Sequence, residues 1–589
     1  MPSELLNAVF DEVMRQGGHL ITRSMPVLKG VINRFAAQYI PDDSIAVGQN
    51  VDLTDPTRPS IRDGYAEIGA AQSGISSSAP DLTILRISGF AYLNTTDGTR
   101  NFVITIPNAT NGKTYWIADS ISGGTWAEAV TGVPASYDPG GTDTVIFQAN
   151  DGLYFLGTGN VFTMSKTHVM YDALDVDDTA SPDTPKSPPK GGVDGCYFLN
   201  RAWILVAGTT TKPPEAHYSK VLPDMTSPST QWARTSTIGD SGIAGRLQLS
   251  PNWGSTAVAI KPWNQVSLIV FFDNNIEEVI VNSADPEAGS TRRILEPRFG
   301  TRSRDSIVTI GQEMYFLDQF GEFRSLQQTV NAEQSGVVPR PVSEPIQDEL
   351  PNNLNMAHLD KVRAVAYRDK IYVWYPRLGE TEATSVAVFD TSLRVWIGAP
   401  WRMEDSASRV LVSNIRSTGT KGEEMYFADG AAAVAKVYRM FTGSYTDNGT
   451  AIQYSEETKA YDGGIPESDK TPSEFELEAK GAQGAIATVS VKVEEGGGWQ
   501  ALPGQLEIPG NAASSFPITD ATAPFTDAGD FPWIDAEPGL VRQKFHLHGL
   551  TNFGKGRTHQ FRIQASESGK LFRRTGFRFI YRPEKYEEE

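Results

Sequence analysis

One phrase recurs along this chain: a turn marked by glycine, asparagine or aspartate beside a short strand rich in aromatic residues. It occurs as Asp151-Gly152-Leu153-Tyr154-Phe155-Leu156 and as Gly195-Cys196-Tyr197-Phe198-Leu199-Asn200-Arg201-Ala202-Trp203. It returns within Ile307 to Leu326, as Asp369-Lys370-Ile371-Tyr372-Val373-Trp374, and as Glu424-Met425-Tyr426-Phe427-Ala428-Asp429-Gly430. In the third copy Val308 and Ile310 precede Gly311-Gln312, Met314 and Phe316 follow, and Asp318-Gln319-Phe320-Gly321 supplies a second turn before Phe323 and Leu326. Apolar residues alternating with polar ones, punctuated at turn spacing, specify short antiparallel strands, and this stretch reads as two strands of a repeated four-stranded sheet. Recurrence every few dozen residues without close identity is the pattern of degenerate β-propeller blades. The hairpins of a β-sandwich look the same locally, so the repeat carries the propeller reading.

At 589 residues the chain exceeds the ~250–300 residues over which a single core usually grows, which predicts two or three domains. Its 54 glycines and 36 prolines fit a fold of many turns and short strands. The single cysteine, Cys196, lies in a predicted strand, so no disulfide can form within the chain and a small buried core residue is expected. Acidic residues outnumber basic ones 71 to 52, a net charge of -19, which argues against gripping a nucleic-acid backbone over a large surface. A wall past which nucleic acid slides is compatible with it. No basic run precedes an apolar core at the N-terminus, and no stretch approaches the ~20 apolar residues of a membrane span. Synthesis and folding in cytoplasm, without a membrane partner, are the expectation.

Ser3 to Arg15 predicts a short helix with Leu5, Leu6, Val9, Phe10 and Val13 on one face and Gly17-Gly18 ending it. Hairpins are expected from Leu85 to Trp126. The turn ending at Trp126 resembles a sialidase-type Asp box but lacks the aspartate, so it reads as a plain turn. Asp172 to Gly192 is acidic and then proline-rich, a solvated connector whose acids lack the convergent spacing of a calcium loop. After Tyr438 the composition shifts. Clean alternation in Thr488 to Val493, in Lys544 to His548 and in Gln560 to Gln564 predicts an antiparallel sandwich or barrel, with a basic, aromatic strand from Arg573 to Tyr581 and an acidic tail, Glu587 to Glu589.

Several phrases carry a resemblance. Pro41-Asp42-Asp43 leads to Gln49-Asn50-Val51 and then to Arg62-Asp63-Gly64-Tyr65; Asn200-Arg201-Ala202-Trp203 leads through Ala207-Gly208 and Tyr218-Ser219 to Trp232; Phe389-Asp390 leads to Trp396. Together they resemble the β-propeller tail proteins of short-tailed bacteriophages, the tail nozzle or tubular hub proteins, across roughly Val27 to Tyr438. The resemblance implies that the segment from Gln49 to Tyr65 helps close the ring. It further implies a structural virion protein of the tail, forming a ring, usually of six subunits, that extends the DNA-ejection conduit below the portal and adaptor and carries fibres or spikes. DNA would pass through the lumen without specific binding. Trp203, Trp374 and Trp396 are large plates suited to sealing blade contacts or to any strand core.

The expected fold is therefore all-β: a degenerate propeller of six or seven blades followed by a β-sandwich, with a short N-terminal helix. The expected divisions are an arm at 1–24, the propeller at 25–440 and the sandwich at 441–589. His546 and His548 share a strand face, but zinc needs a third or fourth ligand. Neither a phosphate loop nor a nucleophile elbow is present in the sequence. No catalytic, cofactor-binding or metal-binding residue is assigned, and a non-enzymatic role is expected. The alternative is a propeller glycosidase or a glycan-binding receptor-recognition protein of a virion.

Overall fold

Of the five copies of the aromatic phrase, the one at 195–203 spans the first hairpin of its blade, from Gly192–Phe198 into Arg201–Val206. The other four mark the second strand of a blade, the strand flanked on both sides within its own sheet and covered on both faces by neighbouring blades. This is why it is apolar almost throughout: Leu153 to Leu156, Leu268 to Phe272 and Ile371 to Tyr375 are all buried. In the computed structural model the described residues are 20–23, 26–68, 87–106, 113–118, 126–129, 144–157, 160–172, 188–209, 212–223, 231–232, 244–249, 255–334, 340–405, 410–416, 423–429, 436–463, 465–494, 497–502, 506–508, 540–548, 553–565 and 570–583. The predicted helix at 3–15, the turn at 120–125, most of the 172–192 connector and the acidic tail lie outside them.

Among these residues seven groups of antiparallel strands, the blades, follow one another in chain order, five of them as separate sheets and the last two as parts of larger ones. Blade one comprises Gly89–Asn94, Arg100–Ile106, Lys113–Ala118 and Ala127–Glu128. Blade two comprises Val145–Ala149, Gly152–Leu156, Phe162–Met164 and Met170–Asp172; blade three Gly192–Phe198, Arg201–Val206, Glu215–Tyr218 and Gly245–Gln248. Blade four comprises Ala257–Pro262, Ser267–Phe272, Ile276–Ile280 and Thr291–Glu296. Blade five has three strands, Val308–Ile310, Glu313–Leu317 and Phe323–Ser325, where the sequence suggested two. The helix Leu326–Gln334 follows, and Leu326 and Val330, one turn apart, pack into the seam with blade four. Blade six comprises Arg363–Tyr367, Lys370–Tyr375, Ser385–Asp390 and Val395–Arg402, and blade seven Val410–Arg416, Glu423–Asp429 and Val437–Met440 with Tyr65–Glu67 as its fourth strand. That last strand comes from the N-terminal side of the chain, so the ring is closed by pairing its two ends.

The core is a circle of seams. Separate apolar clusters lie between blades one and seven, one and two, two and three, three and four, and four and five. The largest cluster joins blades five, six and seven to the sandwich. Trp203 fills the seam of blades three and four and donates to the Phe198 carbonyl at 3.1 Å; Trp396 packs edge-on against Phe323 of blade five and donates to the Val342 carbonyl at 2.9 Å. Cys196 is buried, and burial pushes its thiol up, away from the reactive thiolate.

The sandwich has Lys470–Ala482 between Leu540–His548 and Phe572–Pro583 in one sheet, and Tyr454–Thr458, His559–Ala565 and Ile486–Val493 in the other. Residues 45–61, expected in the propeller, run through both sheets instead. Ile45–Gln49 pairs with Tyr454–Thr458 on one edge and reaches the last strand of blade six on the other, through Gly48 opposite Ala399. Ser60 meets Arg573, and Leu20–Arg23 pairs along Arg578 to Tyr581. Blade six and one sandwich sheet are thereby a single ten-stranded sheet. The physical reason is that the outer strand of a blade offers an open edge, and the N-terminal strand satisfies it.

Candidate functional site: the closing clasp and the axial cavity

Asn50, Arg62, Gly64 and Tyr65, all within the phrases that carry the resemblance, form a clasp where the propeller, its closing strand and the sandwich meet. Arg62 is 1% exposed. Its Nη1 donates to Asp447 Oδ1 at 2.8 Å, its Nη2 pairs with Asp447 Oδ2, and its Nε donates to Asn50 Oδ1 at 3.0 Å. Burial alone would lower the Arg62 pKa, but Asp447 outweighs it and holds the guanidinium above its usual value. Asn50 sits at φ 54°, a left-handed conformation that asparagine tolerates better than most residues. Its amide accepts the Arg402 N–H at 2.6 Å and donates to Glu404 Oε1 at 2.7 Å and to the Gln453 carbonyl at 2.8 Å. The Glu404 N–H donates to Asp447 at 2.8 Å. A Cβ on Gly64 would collide with the Thr446 carbonyl, which fixes glycine there. Tyr65 then enters blade seven, edge-on to Phe427 and Tyr438 at 5.1 and 5.2 Å.

Around the axis of the ring lies a cavity of about 390 Å³, lined among the described residues by the innermost strands of six blades and the turn before blade five. Ser88, Phe90 and Val145 to Phe147 form one side, chiefly apolar and hydroxylic; Asp194, Lys261, Arg304, Asp305 and Arg363 form the other. Asp194 is buried and bound by Lys261 Nζ at 2.9 Å and by the Ile260 N–H at 2.9 Å. Arg304 forks onto Asp305, Nε to Oδ1 at 2.8 Å and Nη2 to Oδ2 at 2.6 Å, and Arg363 Nε lies 3.4 Å from the same carboxylate. Burial alone would raise the Asp305 carboxyl, but Arg304 and Arg363, with Lys261, hold it well below the usual carboxylate range. None of these five was singled out from sequence. They come from four segments, with Arg304 and Asp305 adjacent in one turn, and only the closed ring brings the four together.

His546 faces Glu476 at 3.0 Å, a carboxylate that Arg578 also binds at 2.6 Å and Lys544 approaches at 3.4 Å. His548 is opposite Glu474 in register, and its side chain lies outside the described residues. Among the described residues no group of three or more metal-ligating side chains converges, and no helix is long and apolar enough to cross a membrane.

No protein-family model and no curated protein matches the chain. Solved structures similar to it include the AfRom2 CNH domain, at a TM-score of 0.33 and 10% identity over 61% of this chain and 98% of that one. The extracellular domain of the one component system BT4673 from B. thetaiotaomicron superposes at a TM-score of 0.37 and 10% identity over 80% of this chain and 59% of that one. The alpha-L-arabinofuranosidase PaAbf62A from Podospora anserina superposes at 0.27 and 10% identity over 64% and 96%. At that level of superposition the likenesses say nothing about what this chain binds or does; its own geometry is that of an all-β, propeller-containing protein.

Proposed function

We propose that this chain is a structural virion protein, a tail nozzle or hub subunit of a short-tailed bacteriophage, that joins copies of itself in a ring below the portal and adaptor. The observation that carries the reading is the clasp. The residues of the resembling phrases, Asn50, Arg62, Gly64 and Tyr65, are the ones that tie the ring closed and stitch it to the sandwich. They give a propeller and sandwich hydrogen-bonded into one body, which suits a part that bears load.

The axial cavity of a single propeller is too small for the conduit. A duplex whose major groove alone is ~12 Å wide cannot thread a space of about 390 Å³ walled by side chains and ion pairs. The DNA path in this reading therefore runs between subunits, around a symmetry axis outside each propeller. The net charge of -19 suits a lumen wall that does not hold the duplex, with repulsion confined to ~8 Å at physiological salt. The glycosidase alternative needs a carboxyl kept protonated near neutral pH. Asp305, in the cavity, is held in the opposite direction.

Immunogold labelling of purified particles with antibody to this chain tests the assignment. Label confined to the tail is the expected result; particles that carry no label, with the protein found only free or on host cells, would overturn it.

A further inference from the structure

Among the described residues that line the axial cavity, Lys261, Arg304 and Arg363 face Asp194 and Asp305, one positive charge in excess inside a chain whose net charge is -19. Both carboxylates are already engaged. Asp305 receives the Arg304 fork and lies beside Arg363, while Asp194 receives Lys261 and the Ile260 N–H. Arg304 Nη1 reaches the Val193 carbonyl at 3.2 Å, and Arg363 Nη1 binds the carbonyls of Asp360 and Val362. Lys261 is different. Its ammonium carries three N–H groups, Asp194 takes one at 2.9 Å, and the side chain is 25% exposed, so it presents donors to the cavity.

We propose that the axial cavity is a binding site for a small oxyanion, a carboxylate or a phosphate group, held by Lys261 in the field of Arg304 and Arg363. The volume lies within the range of small-ligand sites, and the opposite wall of Phe90, Val145 and Ile146 accommodates an apolar body on the ligand. One excess cation matches one negative charge. The walls weaken screening, so the interaction is stronger there than on the surface.

Isothermal titration of the full chain with sodium phosphate, and separately with sodium acetate, tests the site, with sodium chloride at equal ionic strength as the control. Saturable binding of phosphate or acetate but not of chloride is expected, and the two arms separate phosphate-bearing from carboxylate-bearing ligands. Lys261→Met should weaken that binding by about tenfold or more, the loss of one charge-assisted hydrogen bond. Because that variant leaves Asp194 without its ammonium, Thr309→Glu gives a second arm. Thr309 lines the cavity and is exposed, so an added carboxylate cancels the excess charge without removing a buried partner. It should abolish anion binding while leaving the unfolding temperature in chloride unchanged. Absence of saturable binding by the unaltered chain, or binding that survives intact in folded Thr309→Glu, would overturn the proposal and leave the cluster as a set of ion pairs pinning blades three to six.

Discussion

Arg62 is the most consequential single side chain, since a fully buried guanidinium is tolerable only while every partner stays in place. Replacing Arg62 by Met strands Asp447 in the interior, and breaking a buried pair from one side costs about 3–5 kcal/mol. Urea unfolding should show that loss for Arg62→Met, while Arg58→Ala, at an exposed pair, should change stability by less than about 1 kcal/mol. Equal effects would contradict the clasp. His559 sets a second test. It is wholly buried, and neither ring nitrogen has a hydrogen-bond partner among the described residues. Burial, with the Lys470 charge nearby, lowers its pKa to about 4. In the unfolded chain an imidazole titrates near 6.5, so as pH falls through 6.5 toward 4 the unfolded state gains a proton that the folded state refuses. Stability should therefore drop across that window, by about 3 kcal/mol at most. His559→Phe, beside Phe579, should remove most of the decline; an unchanged pH profile would contradict the burial of a neutral imidazole.

At the scale of elements, the seams between blades carry the energetics. Trp396 bridges blades five and six, and Trp396→Ala should cost about 3–5 kcal/mol in thermal or denaturant unfolding. The sandwich makes a sharper prediction, because Ile45–Gln49 supplies one of its strands and Leu20–Arg23 and Ser60–Ile61 line the other sheet. A fragment spanning 441–589 should show no cooperative unfolding alone, whereas the full chain should unfold this region together with the propeller; an independent, cooperative melt of the fragment would refute the weld. What was legible in the sequence follows from burial. The second strand of each blade is covered on both faces, so its aromatic run stands out, and a final strand such as Thr291–Glu296, exposed over its first four residues, carries little pattern. The helix of blade five was not legible beyond Leu326, because its buried face offers only two apolar residues among those described, Leu326 and Val330, with the polar Thr329 buried between them. The clasp was visible as phrases but not as a pair: Arg62 and Asp447 lie 385 residues apart, and no local rule joins them. The axial cluster was invisible for the same reason, its five charged residues being drawn from four distant segments.

For the whole molecule, the proposed function makes a closed propeller, clasped to a sandwich, one subunit of a ring through which DNA passes between copies. The most direct measurement is cryo-electron microscopy of the native particle tail at a resolution that traces strands. Copies of this chain are expected around a central symmetry axis, six by the resemblance, with the seven-bladed ring of each lying off that axis and a channel between subunits wide enough for a duplex. A map in which the chain is a lone peripheral monomer or trimer, or in which no axial channel passes between its copies, would contradict it.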